Sequence, residues 1–523
     1  MKMKNMKKIK FLICIIIAGV LTSCNDYFDI NKNTNQATAA SAALILPQAL
    51  TTTASVLNQF NSYGMQIGGY AANAGGYGGF NETVSYAYTP NNYSNLWSIT
   101  YDNLNDYQFM INSTVGNDAN IYYSAVAKIM KAHDYQLLVD AYNDIPYSDA
   151  LLGANNLTPS YDNAATIYAS LAGLLDEAIA EINKGESATI APDAITANDV
   201  VFAGNMTSWK KLANTLKLKL MIRAKGKATF ANTSFDAAGF LTADALINPV
   251  YRRDINKQNP AWESWAFTGG GTTGAKSWIP TTYVMDFYDG YKLSDPGRGK
   301  ALYYQFPGTG TNRLGVEGEG IPKSPDGSFW YPGSARTQAT AGAATGALKG
   351  PDAGYPLFTA AESYFLQAEA VVVGGFGVAG TAKALFESGI KASFTYLYTL
   401  PDKTVSGNPT ADAATYITNN ADARVQFDLA TTTPEKVEAI ITQKYIALNM
   451  VHSHEGWNEY RRTGYPTQSG NTAHSTFASF ASQSSRADKL PSRIQYPTSE
   501  GQYNGGNLPT GISTFTSLIF WAK

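Results

Sequence analysis

Residues 206–225 read MTSWKKLANTLKLKLMIRAK. Trp209, Leu212, Ala213, Leu216 and Leu220 recur every three or four positions, the period of a helix with one buried face. Lys210, Lys211, Lys217 and Lys219 fall between them and are assigned to a solvated face. The stretch therefore sets a helical reading, and the segments on either side extend it.

Toward the N-terminus, a helix is expected between Asp162 as N-cap and Gly185 as C′ residue. Another starts near Asn120, with Val126, Met130, His133 and Leu137 on one face, and gives out before Ile145-Pro146, because proline disfavours helix in the residue before it. His133 on that face reads as a core histidine. From Tyr93, the spacing of Leu96, Trp97, Tyr101 and Leu104 is again helical, and Ser41 to Phe60 is a first helix with Pro47 inside it. Between them, residues 61–91 are glycine- and tyrosine-rich, lack a helical period and read as a loop.

Toward the C-terminus the pattern breaks. Residues 230–355 are rich in Gly, Thr, Pro and Trp and read as a long irregular insertion, a kind of segment that is usually functional. Helices resume at Phe358, with Ala361, Tyr364, Phe365, Ala368 and Val372 on one face, followed by a partner from Thr381 to Phe394. Thr433-Pro434 opens another, with Val437, Ile440, Ile441, Tyr445 and Leu448 inward. The scaffold thus occupies 41–229 and 356–466, and 467–523 is an irregular tail. The fold class is mostly α, in pairs of helices without a fixed repeat period.

The N-terminus carries a separate message. Lys2, Lys4, Lys7, Lys8 and Lys10 precede a short apolar run that ends in Leu21-Thr22-Ser23-Cys24. This is a secretory signal over 1–23 with a lipobox, which makes Cys24 the acylated first residue of the mature chain. The run is shorter than the ~20 residues that span a bilayer. Residues 24–40 read as a tether. Of 523 residues, 500 remain, with 34 Lys+Arg against 41 Asp+Glu. That balance argues against nucleic acid as a partner. The only cysteines are Cys14 and Cys24, so the body has neither a disulfide nor a cysteine metal site. With 33 Tyr and only 15% charged residues, the surface suits neutral ligands such as sugars or peptide backbones.

Catalytic motifs are missing. His452-Ser453-His454-Glu455 lacks the spacing of a zincin. GGGTTGAKS (269–277) has Ala275 where a P-loop needs glycine. Glu455 and Glu459, followed by Arg461 and Arg462, read as a structural ion-pair network and not a catalytic dyad. The candidates for ligand contact are aromatic: Tyr77, Phe80, Tyr86 and Tyr88 on the first loop, and Trp262, Trp265, Trp278 and Tyr283 in the insertion. The competing reading of each ring is that it packs in the core.

Five stretches, YNDIPYSDAL (142–151), residues 204–223, ESYFLQAEA (362–370), QKYIALNMVHSHEGWNEYRRTGYP (443–466) and LPSRIQYPTSEGQYN (490–504), together resemble the SusD/RagB family of nutrient-binding outer-membrane lipoproteins. The resemblance implies four tetratricopeptide-like helix pairs with an irregular region packed against them. It also implies a partner, a TonB-dependent SusC-like transporter, and an oligosaccharide ligand, or in some members an oligopeptide. Asn25-Asp26 and Asp29 resemble the acidic export signal of surface lipoproteins in this group. The family's Asp-Pro-Arg appears here only as Asp295-Pro296-Gly297-Arg298. No catalytic residue, metal site or cofactor is implied, and a structural calcium, which some relatives contain, has no placeable ligands. The expectation is a lipid-anchored, surface-exposed outer-membrane binding protein. The rival from another class is a secreted hydrolase acting on the same polymer; a purely structural surface protein is a third reading.

Overall fold

A computed structural model describes residues 41–523; the signal peptide, Cys24 and the tether lie outside the described residues. Ten helices of eleven residues or more carry the body: α1 (Ala42–Ile67), α2 (Ser94–Thr114), α3 (Ile121–Tyr142), α4 (Ala164–Glu186), α5 (Met206–Arg223), α6 (Ala360–Val373), α7 (Ala382–Tyr398), α8 (Pro409–Asn419), α9 (Thr433–Ala447) and α10 (Ser453–Thr463). Sequence neighbours pack as pairs, most extensively α2 with α3, α3 with α4, and α6 with α7. The series continues from α5 to α6, α6 to α9 and α9 to α10, and α10 packs back on α1. The two halves of the scaffold therefore close on each other across the insertion.

Local chemistry sets most of these boundaries. Asn163 accepts from the Ala165 and Thr166 N–H groups and starts α4. Asp162, expected in that role, instead binds Ser148 and the Tyr147 N–H. Gly185, expected as the C′ residue, lies inside α4, where it packs closely on Tyr122 and a Cβ would be 2.6 Å from the ring. Thr432 and Glu435 form a capping box for α9, one residue earlier than expected. Two further boundaries differ from the sequence reading. α1 runs seven residues past Phe60, and α8 lies between Phe394 and Thr433, where the sequence reading places no helix. In α1, the extension is held by contact with α10, where a Cβ on Gly64 would fall 1.9 Å from the His454 nitrogen.

The largest correction concerns the lysines of α5. Lys210, Lys217 and Lys219 are buried, and Lys211 is half-buried. The three buried lysines pair with carboxylates from other helices: Lys210 with Glu186 at 2.7 Å, Lys217 with Asp176 at 2.7 Å, and Lys219 with Glu455 at 2.7 Å and Glu362 at 3.1 Å. Arg223 completes the group by binding Asp140 at 2.5 Å, Glu455, and Glu459 at 3.0 Å. Lys444 reaches Glu459 at 2.9 Å, and Arg462 bridges Glu459 to Glu369. α5 is enclosed by α3, α4 and α6, so both of its faces are interior, and each charge survives only because a partner helix supplies its counter-ion. The reading of an ion-pair network holds for Glu455, Glu459 and Arg462, with five helices contributing to it, whereas Arg461 instead donates to the Ser492 and Asp140 carbonyls and to Asn458.

Burial alone would push these carboxyls up. For Glu362, Lys219 and Lys444, with a contribution from His452, outweigh burial and hold it at about 2. Arg223 and Lys219 likewise hold Glu455 well below the carboxylate range against burial. The tail closes over the same group: the Trp521 Nε1–H donates to Asp140 at 2.9 Å.

The insertion is tied at both ends. β2 (Ala245–Ile247) pairs antiparallel with β4 (Tyr355–Phe358), so the chain leaves and re-enters the scaffold side by side. β1 (Ala71–Asn73) pairs antiparallel with β3 (Trp278–Pro280), with Asn73 opposite Trp278. Inside the insertion, Trp265 meets Trp330 edge-on at 5.5 Å and donates to Ser62 of α1 at 3.1 Å. Its interior thus continues the core of the helical body. Asp295 accepts from the N–H of Arg298 and caps the short helix Pro296–Leu302, giving the Asp-Pro-Gly-Arg run a defined structure despite its extra glycine.

Candidate ligand-binding site

The β1–β3 pairing joins the glycine-rich loop to the insertion. Beyond Asn73 the chain runs Ala-Gly-Gly-Tyr-Gly-Gly-Phe to Phe80. The Gly75 N–H donates to Pro322 O at 2.8 Å, and a Cβ at 75 would lie 2.0 Å from Ile321 O. Only glycine allows that approach. Gly76 follows with φ +85°, and the loop then turns outward. Tyr77 is 44% exposed at its tip. Phe80 returns and packs edge-on against Trp278 with ring centres 5.3 Å apart. Both rings are half-buried, so each keeps an edge or face toward solvent.

A polar pair stands on the same segment of the insertion. Lys276 Nζ lies 2.9 Å from Asp326, which also accepts from the Thr273 hydroxyl at 3.0 Å. The Lys276 hydrogen bond, then that of Thr273, draws the Asp326 carboxyl below its ordinary range, and Asp326 raises Lys276 in turn. Both stay charged at neutral pH and present a donor and an acceptor beside the exposed rings.

The eight aromatic candidates separate into two groups. Tyr77, Phe80 and Trp278 reach the surface. Tyr86, Tyr88, Trp262, Trp265 and Tyr283 are buried, at 0–5% exposure, and are corrected here to packing roles. The reason is partner density: Trp262 packs on Tyr331 at 5.0 Å, Tyr283 on Phe477 at 5.3 Å, and the Tyr86 hydroxyl accepts from the Ser479 N–H. Burial pushes the Tyr86 phenol up, as expected of a ring enclosed in protein.

Sequence reasoning also missed polar and aromatic groups. In the sequence, Lys276 stands out only as part of the GGGTTGAKS run, and Asp326 carries no signal. Tyr291, 65% exposed, stacks on His474 at 4.1 Å, and His474 Nδ1 lies 2.9 Å from Asp286. Nothing in the sequence links positions so far apart. Among the described residues no group of three or more His, Cys, Asp or Glu side chains is arranged to hold a metal ion. The arrangement at β1–β3 offers flat apolar faces beside hydrogen-bonding groups, which can hold a ligand with alternating CH and OH surfaces.

The fold is a helical-repeat scaffold that displays an aromatic, loop-borne surface. The family described as "Starch-binding associating with outer membrane", SusD-like, matches residues 32–497, and the chain belongs to it. This is an outer-membrane-associated family of nutrient-binding proteins. Among the described residues no helix is long and apolar enough to cross a membrane. Solved structures share the fold. A chitin-binding SusD homologue from Flavobacterium johnsoniae is 24% identical with a TM-score of 0.66, over 91% of this chain and 98% of its own. A SusD homologue from Bacteroides fragilis is 21% identical with a TM-score of 0.65, over 93% and 100%. One from Bacteroides uniformis is 23% identical with a TM-score of 0.66, over 92% and 99%. Among curated proteins none matches the chain.

Proposed function

We propose that this chain, anchored through acylated Cys24 on the cell surface, captures an oligosaccharide and passes it to a TonB-dependent SusC-like transporter. The observation that carries the reading is the half-buried pair Phe80 and Trp278, in edge-on contact beside the β1–β3 pairing, with the exposed Tyr77 on the same loop and Lys276 and Asp326 alongside. Sugar rings expose CH faces that stack on such aromatics, while ring hydroxyls bond to the charged pair. Lipid anchoring through several acyl chains is effectively permanent, at ~0.8 kcal/mol per buried CH₂. The protein acts by binding, without turnover of its ligand.

Calorimetry with chito-, malto- and xylo-oligosaccharides tests the ligand class. Trp278→Ala is expected to weaken the oligosaccharide that binds by roughly 1 kcal/mol, five- to tenfold in Kd. Binding of a tripeptide series in place of every glycan would turn the reading to an oligopeptide ligand. Release of sugar or peptide products during incubation would replace it with a hydrolase. Co-purification of a SusC-like transporter from detergent-solubilised membranes tests the partner, and surface labelling of intact cells tests the location.

A further inference from the structure

A second concavity lies away from the β1–β3 loops, between the helix Pro296–Leu302, α7 and α8, with a volume of about 450 Å³. That is within the range of small-molecule sites, roughly 300–1,000 Å³. Its floor is Phe394, Tyr398 and Tyr416, all buried. The floor is rigid by construction. The Arg298 guanidinium is clamped between Phe394 at 4.8 Å and Tyr416 at 4.7 Å, and it is held from below by Asp295 and by Gln443 at 3.1 Å. Gly297 makes the close fit: a Cβ there would lie 2.8 Å from the Phe394 ring and 2.9 Å from the Tyr398 hydroxyl.

The rim is the opposite of the floor. Ser294, Ser406 and Asn419 line the cleft at its exposed edge, and their side chains have no protein hydrogen bond among the described residues. Lys300 has no ion pair among them either. Asp412 accepts the Tyr398 hydroxyl on one carboxylate oxygen at 2.8 Å and keeps the other free. A rigid apolar floor under a ring of uncommitted donors and acceptors is the build of a binding site.

We infer that this cleft is a second carbohydrate site, which takes a single pyranose unit or the end of a glycan chain. A pyranose has an apolar face for the aromatic floor and hydroxyls that both donate and accept. The rim carries both donors and acceptors, and its two charges, Lys300 and Asp412, are of opposite sign, so a neutral polyol fits better than an anion or a cation. A free amino acid would satisfy Lys300 and Asp412 and leave Ser294, Ser406 and Asn419 unused.

The test uses the Trp278→Ala protein, so that the exposed aromatic site is already weakened and the two sites fail separately. Ligand-detected NMR titration with the methyl glycosides of glucose, galactose, xylose and N-acetylglucosamine should show millimolar binding of at least one. Thr415→Trp, on the exposed side of α8, fills the cleft without touching its floor and should weaken that binding tenfold or more. Asp412→Asn keeps an acceptor for the Tyr398 hydroxyl and should weaken it less. The inference is overturned if no glycoside binds, if Thr415→Trp leaves binding unchanged, or if glycine displaces the sugar.

Discussion

Arg223→Met is the sharpest probe of how the helices are held together. Arg223 is 1% exposed and contacts three carboxylates from two other helices, Asp140, Glu455 and Glu459. Methionine keeps most of the stem volume and removes the charge. Removing one partner of a buried ion group costs about 3–5 kcal/mol, because the counter-charges stay buried. At ~2.1 cal/mol/K of unfolding entropy per residue, a body of 482 residues shifts about 1 °C per kcal/mol. Calorimetry at pH 7 should therefore show melting lowered by about 3–5 °C. The control is Lys184→Ala: the Lys184–Asp118 pair is similarly short at 2.7 Å but 60% and 73% exposed. It should cost under ~1 kcal/mol. The deficit of Arg223→Met should also shrink on acidification, since a stranded carboxylate is relieved by taking up a proton. Melting within 1 °C of the parent, or a deficit that grows toward acid, would refute the reasoning.

Other outcomes follow from the same geometry. Gly64→Ala places a Cβ against the backbone of His454 and should cost at least ~1–3 kcal/mol by forcing α1 off α10; an unchanged urea midpoint would sink the close approach. Glu362 is held at about 2, and Glu455 and Glu459 are also depressed, against ~4.3 when unfolded. Their stabilisation is complete above about pH 5 and is lost as pH falls toward 2, so melting should drop steeply across that window and a flat profile would count against it. Burial lowers Lys349 to about 7, against ~10.4 when unfolded. Between those values the unfolded chain binds the extra proton, so this group makes stability rise with pH, and Lys349→Met should flatten the profile between pH 7 and 10.

Most of the helices were legible because they carry a periodic apolar face, and several also carry a cap. Asn163, Thr432 and Asp295 all sit where short polar side chains close a first turn. What periodicity misjudged was α5. A lysine between leucines reads the same whether it meets water or a carboxylate from a helix 236 positions away, and only packing brings Glu455 and Glu459 to Lys219 and Arg223. The aromatic site was half legible for a related reason. Composition located the rings, but Trp262 and Trp278 have the same chemistry, and one is buried by Tyr331 while the other stays at the surface.

The sequence by itself determined most of the helical segments, though not α8 or the end of α1, and which family the chain resembles. These depend on local spacing, capping chemistry and motifs, and all three are written along the chain. Tertiary structure alone decided which charges are interior, which aromatics face water, and how β1 and β3 bring Phe80 and Trp278 to one place. Burial and ion pairing depend on what the rest of the chain puts opposite a residue, and that partner can be hundreds of positions away.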